Sequence, residues 1–128
     1  MAGELRRVQP HNLAQPGGHY SHGVVAAGLV FVAGQLPIAS DGSKLSDASF
    51  EAQVQQVLAN VEAVLTAAGS SITQLVQLRV FITDIELWPA FNRLYAQWAG
   101  DARPARSVVP VPMLHYGFKL EVEAVALV

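Results

Sequence analysis

The spacing of apolar positions predicts two helices. Apolar residues recur at intervals of three and four between residues 50 and 68, which is the period of one helix face. Gly69 follows directly and suits the end of a helix, because glycine readily takes the left-handed backbone. A shorter stripe begins at Pro89, a residue suited to a first helical turn, and stops at Gly100. The apolar positions of the two stripes are Phe50, Val54, Val57, Leu58, Val61, Val64, Leu65 and Ala68, then Phe91, Leu94, Tyr95 and Trp98.

Runs that are continuously apolar, or that alternate between apolar and polar residues, predict strands on both sides of the helices. Two short apolar runs around Gly28 predict a β-hairpin, and residues 33–37 after it are expected to leave the sheet. The segment 39–47 is rich in Ser, Asp and Gly, which predicts a surface loop that could carry specificity. The predicted strands are 24–27, 29–32, 75–83, 105–111 and 118–128.

The resulting order, β-β-α-β-α-β-β, predicts an α+β fold with a mixed β-sheet. Each helix has one apolar stripe to bury, so we expect both helices to pack on one face of the sheet. The alternation in the strand 75–83 turns Leu78, Val80 and Ile82 to one side of the sheet. In the last strand the same alternation turns Glu121 and Glu123 to the opposite face, which we expect partner subunits to cover.

Composition is consistent with one domain spanning residues 1–128 that associates with itself. Charged residues make up 14% of the chain, against about 25% in typical globular domains. Hydrophobic residues reach 52%, which is more apolar surface than a small monomer readily hides. No apolar stretch approaches the roughly 20 residues of a membrane span, and no apolar signal core begins the chain. We therefore expect a soluble cytoplasmic protein without membrane contact.

Several kinds of chemistry are disfavoured. The chain has no cysteine, which excludes disulfides, thiolate metal sites and a cysteine nucleophile. The net charge is −2 with only eight Lys and Arg, so no nucleic-acid partner is expected. No glycine-rich phosphate loop is present, and His19 and His22 lack a third ligand at a suitable spacing. We expect neither a metal nor another cofactor.

Arg106 is the first candidate for chemistry, because it follows Pro104 at the start of an otherwise apolar strand. Its guanidinium could bind a substrate carboxylate through two hydrogen bonds, or form an interface ion pair with an acidic residue of a neighbour. Glu121 could activate a water if its face of the sheet is covered, or it could be a satisfied interface ion pair. Tyr20 could line a pocket near these groups, and His115 and Tyr116 could overhang it and affect specificity, or all three could have only packing roles.

A set of motifs along the chain resembles the reactive intermediate deaminase family, called Rid or YjgF. The most specific part is the Pro-Ala-Arg-Ser segment 104–107, followed fifteen residues after its arginine by the Glu-Val-Glu-Ala strand. The other matching segments are Gly18-His19-Tyr20, Ala33-Gly34-Gln35-Leu36-Pro37, Asn60 with Ala67-Ala68-Gly69, Val80-Phe81-Ile82-Thr83-Asp84 and Asn92 with Tyr95.

This resemblance implies a chorismate-mutase-like fold assembled as a homotrimer, with an active site between neighbouring subunits and no cofactor. It also implies an enamine and imine deaminase, a hydrolase that converts 2-aminoacrylate and related imino acids to 2-keto acids and ammonia. The alternatives are a non-catalytic sensor of small keto acids and, less favoured by the charge, an endoribonuclease.

The resemblance assigns roles to individual residues. Arg106 would bind the substrate carboxylate and Glu121 would orient the attacking water. Tyr20 would line the pocket from across the interface, and Gly34 would offer its backbone to the substrate. Asn92 would support the site. The family's frequent cysteine two residues after the arginine is replaced here by Val108, whose backbone would contact substrate. The segment 109–118, which includes His115, departs from the common family pattern and leaves the choice of substrate open.

Overall fold

A computed structural model describes residues 3–128, which form six strands, two helices and three short 3₁₀ turns. The strands are β1 (Arg6–Val8), β2 (Gly23–Ala26), β3 (Leu29–Gln35), β4 (Leu75–Ile82), β5 (Ala105–Pro110) and β6 (Leu120–Leu127). The helices are α1 (Phe50–Ala67) and α2 (Trp88–Ala99), and the 3₁₀ turns are Ile72–Gln74, Ile85–Leu87 and His115–Gly117.

The six strands form one mixed sheet in the order β1-β2-β3-β6-β4-β5. Only β4 and β5 run parallel, and every other pair in this sheet is antiparallel. Because β6 lies between β3 and β4, the last strand of the chain joins the N-terminal hairpins to the C-terminal βαβ unit. The predicted α+β architecture is confirmed.

The first helix begins and ends where the sequence predicts. Ser49 caps it, because its side-chain oxygen accepts a hydrogen bond from the backbone N–H of Ala52 at 3.1 Å. Gly69 takes a φ of +84° just after the last turn. The face predicted to be apolar is buried against the sheet, with Val54, Val57, Val61, Val64 and Leu65 fully inaccessible to solvent.

Both helices pack on the same face of the sheet, and the alternation along the strands decides which residues meet them. Leu78, Val80 and Ile82 of β4 are fully buried on the helix side, as is Val122 of β6. The other face carries Phe31, which is 47% exposed, together with half-exposed side chains of β4 and β6. The predicted arrangement of both helices on one face is confirmed, and the opposite face is open in the single chain.

Two predictions about the N-terminal part of the sheet are wrong. The predicted order omits β1, a three-residue strand that pairs with β2 through Arg6 opposite Val25 and Val8 opposite Gly23. Residues 33–35 also do not leave the sheet, because β3 continues to Gln35, which pairs with Val122 after an irregularity between Val32 and Gln35. The irregularity lies at Ala33 and Gly34 and shifts the strand register there.

The hairpin between β2 and β3 turns on Ala27 and Gly28, with φ angles of +54° and +77°. Two successive positive φ values are typical of the tight turn whose twist matches that of the flanking strands. Within residues 3–128, neither helix combines the length and the apolar character needed to cross a membrane.

Candidate active site

A cavity of about 600 Å³ opens where the end of β3 meets the start of β6. The segment before β2 and the loop after β3 form two of its walls, and the 3₁₀ turn His115–Gly117 forms a third. The lining residues are Ala14, Gln15, Gly17, Gly18, Tyr20, Ala33, Gly34, Leu36, Ile38, Gly42, Lys44, His115, Tyr116 and Glu121. Four of the predicted site residues therefore lie together here: Tyr20, Gly34, His115 and Glu121.

Glu121 and Gly34 are in close contact within this cavity. A Cβ atom placed on Gly34 would lie 3.0 Å from Glu121 Cδ and closer still to Oε2, so a larger residue would displace the carboxylate. Burial raises the pKa of Glu121, while the charge of His115 lowers it and that of Glu123 raises it further. A half-buried carboxylate with a raised pKa is a suitable acceptor for a proton from water.

The segment that carries Tyr20 is held by a buried histidine. His22 Nε2 donates to the carbonyl oxygen of Ala14 at 2.8 Å, and the side-chain amide of Gln35 donates to His22 Nδ1 at 3.2 Å. Both ring nitrogens are therefore occupied, which gives His22 a positioning role. The ring of Tyr20 meets that of His22 edge-on, with 6.1 Å between centroids.

A buried asparagine fixes the wall that follows β3. Asn60 of α1 donates from its side-chain amide to the carbonyl oxygens of Leu36 at 3.1 Å and Ile38 at 3.0 Å. The side-chain oxygen of Asn60, Oδ1, accepts a hydrogen bond from the side-chain amide of Gln56 at 2.8 Å. The sequence signal for this residue was a polar side chain within the apolar stripe of a helix.

Lys44 and Tyr116 form the rim of the cavity. The sequence analysis named Tyr116 as a candidate for specificity and placed Lys44 in a loop that could carry specificity, without singling Lys44 out. Lys44 Nζ lies 4.8 Å from the centroid of the Tyr116 ring, a cation–π contact. Tyr116 has a φ of +58°, which is unusual for a non-glycine residue. Its ring meets that of the buried Phe118 at 5.6 Å. The ring of His115 is 6.1 Å from that of Tyr116.

Arg106 lies in a different place, against α2. Its Nη1 donates to Asn92 Oδ1 at 2.9 Å. The guanidinium carbon is 4.9 Å from the centroid of the Tyr95 ring and 5.9 Å from that of Phe91. Burial raises the pKa of Tyr95, and the charge of Arg106 partly opposes that shift. Among residues 3–128, no carboxylate lies within 4.0 Å of Arg106. The N–H groups of its guanidinium that do not bind Asn92 are therefore available to a ligand.

The structure therefore separates the predicted site residues into two groups. Arg106 and Asn92 border an open groove beside α2, whereas Glu121 and Gly34 lie on the other side of the sheet. Val108 lines neither space, because its side chain packs partly buried against the hydrophobic core. It belongs to the edge strand β5, whose outer backbone groups have no strand partner in the sheet.

A second carboxylate on the same face of β6 has a partner within the chain. Glu123, the neighbour of Glu121 on the same face, is paired with Arg79 at 2.9 Å. This ion pair lies within one chain, whereas the alternative that the sequence left open for carboxylates of β6 was an ion pair across a subunit interface. In the part of the chain that the structure describes, no three His, Asp or Glu side chains are grouped as metal ligands would be.

Comparison with known proteins identifies the family. The family described as Endoribonuclease L-PSP matches residues 11–128. Protein HMF1 of Saccharomyces cerevisiae is 37% identical over 107 residues, covering 84% of this chain and 82% of HMF1. TdcF of Escherichia coli, named as a proposed reactive intermediate deaminase, is 34% identical over 113 residues, covering 86% of this chain and 87% of TdcF.

Solved structures agree with these matches. The crystal structure of E. coli TdcF with bound serine has a TM-score of 0.90 at 31% identity, covering 96% of this chain and 98% of the other. The crystal structure of YyfA from Yersinia pestis, a protein of unknown function of the conserved Rid family, has a TM-score of 0.93 at 34% identity, covering 98% of this chain and all of the other. The chain belongs to the endoribonuclease L-PSP family, and its resemblance to the Rid or YjgF proteins is thereby confirmed.

Proposed function

We propose that this protein is an enamine and imine deaminase, a hydrolase that converts 2-aminoacrylate or related imino acids to 2-keto acids and ammonia. The observation that carries the proposal is the half-buried carboxylate of Glu121, held against the backbone of Gly34 in a cavity large enough to admit a small substrate. Membership of a family that includes TdcF supports the same chemistry. The serine bound in the TdcF structure supports an amino-acid-like ligand.

The reaction requires one water and no change of oxidation state. An enamine first takes a proton at carbon and becomes the imine. Glu121 then accepts a proton from the attacking water as the water oxygen adds to the imine carbon, and returns it to the nitrogen, which gives a neutral carbinolamine. Glu121 next moves the hydroxyl proton of the carbinolamine to the nitrogen in the same way. The carbon–nitrogen bond then breaks, the nitrogen leaves as ammonia and the carbinol oxygen becomes the keto group. Such an imine already hydrolyses in water, so positioning and one proton acceptor are sufficient for catalysis.

Arg106 is proposed to bind the substrate carboxylate from a neighbouring subunit of a homotrimer. Its guanidinium and the Glu121 carboxylate lie on opposite sides of one sheet, so a single chain does not present both to one small substrate. The exposed apolar residues of the open sheet face, including Phe31 and Val109, support an assembly that covers this face. Asn92 would keep the guanidinium oriented through the 2.9 Å hydrogen bond.

The remaining predicted residues have subsidiary roles in this proposal. Tyr20 would close the cavity over the substrate, and the backbone of Gly34 would lie beside the imine carbon. His115 would influence Glu121 through its charge. Val108 would contribute its backbone, since its side chain packs toward the core. No metal or cofactor is required by this chemistry, and we propose that the protein acts in the cytosol.

Two other functions make different predictions. A keto-acid sensor would bind ligands in the same cavity without releasing ammonia. An endoribonuclease, as the family's name describes, needs basic and stacking side chains along an RNA path. The net charge of −2 and eight scattered basic residues favour the small-molecule reaction.

The test is an imine-trapping assay. A serine dehydratase generates 2-aminoacrylate, semicarbazide traps what remains, and ammonia and pyruvate are measured with the wild type, Arg106→Ala and Glu121→Gln. We expect the wild type to divert the imine before trapping and both variants to lose at least tenfold in kcat/KM, about the effect of one charge-assisted contact. Ligand binding without any faster ammonia release would favour the sensor.

A further inference from the structure

We propose that Lys44 binds a second, distal carboxylate of the substrate, so that the preferred imines are those of acidic amino acids. This inference rests on the deaminase function proposed above. In it, Arg106 holds the carboxylate next to the imine carbon, and the opposite end of the substrate reaches the rim formed by Lys44 and Tyr116.

Lys44 is a cation at the cavity without an acidic partner. Among residues 3–128, the two ion pairs are Arg79 with Glu123 and Arg93 with Glu51, and Lys44 takes part in neither. Its observed contact is with the face of the Tyr116 ring at 4.8 Å. A ring face holds a cation without using its N–H donors on an acceptor, so the ammonium of Lys44 remains able to bind an oxygen anion.

The position of Lys44 is fixed by the loop that carries it. Lys44 forms an antiparallel bridge with Ile38, and the backbone N–H of Leu45 donates to the carbonyl oxygen of Pro37 at 3.0 Å. At the tip, Asp41 Oδ1 accepts from the backbone N–H of Ser43 at 2.9 Å. Because Asn60 also holds the carbonyl of Ile38, the backbone of Lys44 is tied through Ile38 to the buried face of α1.

Tyr116 is held in an unfavourable conformation that places its ring beside Lys44. Its φ of +58° is followed by a φ of +72° at Gly117. Left-handed backbone at a non-glycine residue is uncommon and concentrates at functional positions. The ring of Tyr116 packs edge-on against that of Phe118, which is fully buried, at 5.6 Å. The turn His115–Gly117 thereby fixes the positions of Tyr116 and His115 beside the cavity.

The size and charge of the cavity fit a substrate with two acidic ends. A volume of about 600 Å³ exceeds what a three-carbon imine fills. Glu121 is the only carboxylate in its lining, whereas Lys44 and His115 bring basic groups to the rim. A distal carboxylate is attracted to the rim and repelled from Glu121, which orients the substrate with its imine carbon toward the catalytic end.

The experiment compares two imines that differ only in this distal group. Amino-acid oxidases generate the imines of L-glutamate and L-glutamine, which have the same carbon skeleton and end in a carboxylate and an amide respectively. Wild type, Lys44→Met and Lys44→Arg are assayed by imine trapping, together with Arg7→Met as a control that removes one exposed positive charge on β1. Melting temperatures verify that the variants are folded.

Because Lys44 is exposed, we expect the wild type to favour the glutamate imine by about threefold in kcat/KM, with the difference mainly in KM and weakened by salt. Lys44→Met should remove this preference by lowering kcat/KM more for the glutamate imine than for the glutamine imine, and Lys44→Arg should restore most of the preference. Arg7→Met should retain the preference, which distinguishes local binding from the effect of net charge.

Equal rates for the two imines in the wild type, or an equal loss for both in Lys44→Met, would overturn the role of Lys44. If neither imine is hydrolysed but the imine of alanine is, the inference is wrong and the deaminase function stands. If the alanine imine is not hydrolysed either, the proposed deaminase function fails together with it.

Discussion

Arg106 and Glu121 project from opposite faces of the same sheet. Arg106 is in register with Leu78, whose side chain is buried under the helices, and Glu121 is in register with Phe81 on the other face. One chain therefore carries both groups of the proposed site but directs them to opposite sides of the sheet. Activity should consequently depend on how the chains are combined.

The first prediction concerns mixed oligomers of Arg106→Ala and Glu121→Gln. If each site takes its arginine from one copy and its glutamate from the next, random mixing at equal amounts leaves about a quarter of the sites intact. Unfolding and refolding the two inactive variants together should therefore restore about a quarter of wild-type activity. Each variant refolded alone is the control. Mixtures that stay as inactive as their components would exclude a site shared between copies.

The second prediction concerns Gly34. Its replacement by alanine brings a Cβ into the space of the Glu121 carboxylate, so the carboxylate must move. We expect kcat/KM to fall by roughly a hundredfold, the cost of misplacing a catalytic group by about 1 Å. Gly17→Ala is the matched control, because a Cβ there meets no atom within 4 Å. Equal activity of the two variants would contradict a role for the contact between Gly34 and Glu121.

The third prediction concerns the pH profile of kcat/KM. Burial raises the pKa of Glu121, so the acid limb of the profile should lie above the ordinary range of a glutamate. The charge of His115 lowers that pKa, and His115→Gln should therefore move the acid limb to higher pH. A limb that stays in place in this variant would show that Glu121 is not the titrating base.

The fourth prediction concerns stability. The folded-state pKa of Glu121 is raised, so the folded protein loses stability relative to the unfolded chain as pH rises through that pKa. Glu121→Gln removes this loss and should melt at a higher temperature than wild type at pH 7. The difference should shrink as the pH falls and disappear below the ordinary glutamate pKa of roughly 4.3. Thermal scans between pH 4 and pH 8 measure it.

The fifth prediction concerns Asn92. Its Oδ1 accepts a hydrogen bond from Arg106, and Asn92→Ala should lower kcat/KM by about five- to tenfold by releasing the guanidinium. Asn92→Asp should lower it further through a higher KM, because the new carboxylate competes with the substrate carboxylate for Arg106. An aspartate variant with a lower KM than the alanine variant would argue against carboxylate binding by Arg106.

The secondary structure was largely predictable because its periodic patterns are long. Eighteen residues of apolar spacing define α1, and the alternation in β4 and β6 correctly assigns residues to the two faces. β1 was missed because three residues, two of them arginines, are too few to show a period. The end of β3 was missed because Gly34 signals a chain break in sequence, whereas here it makes room for Glu121.

The cavity was only partly predictable. Tyr20, Gly34 and Glu121 were singled out from motifs and His115 from its place in the loop between two predicted strands, and the four residues do lie together. Lys44 and Tyr116 lie in separate loops, and neither local sequence pattern indicates that the fold brings the two side chains into contact. The separation of Arg106 from Glu121 follows from β5 pairing in parallel with β4, a relationship between strands that local patterns do not specify.

The loop that carries Lys44 has a consequence for how this protein could diversify. Residues 39–43 form the tip of a small closed unit, joined at its base by the bridge between Ile38 and Lys44. The side chains of residues 40–43 at the tip are exposed, so exchanging these residues leaves the core and the sheet undisturbed. Lineages of this fold could therefore acquire new substrate ranges by loop replacement without any change in β6, the strand that carries Glu121.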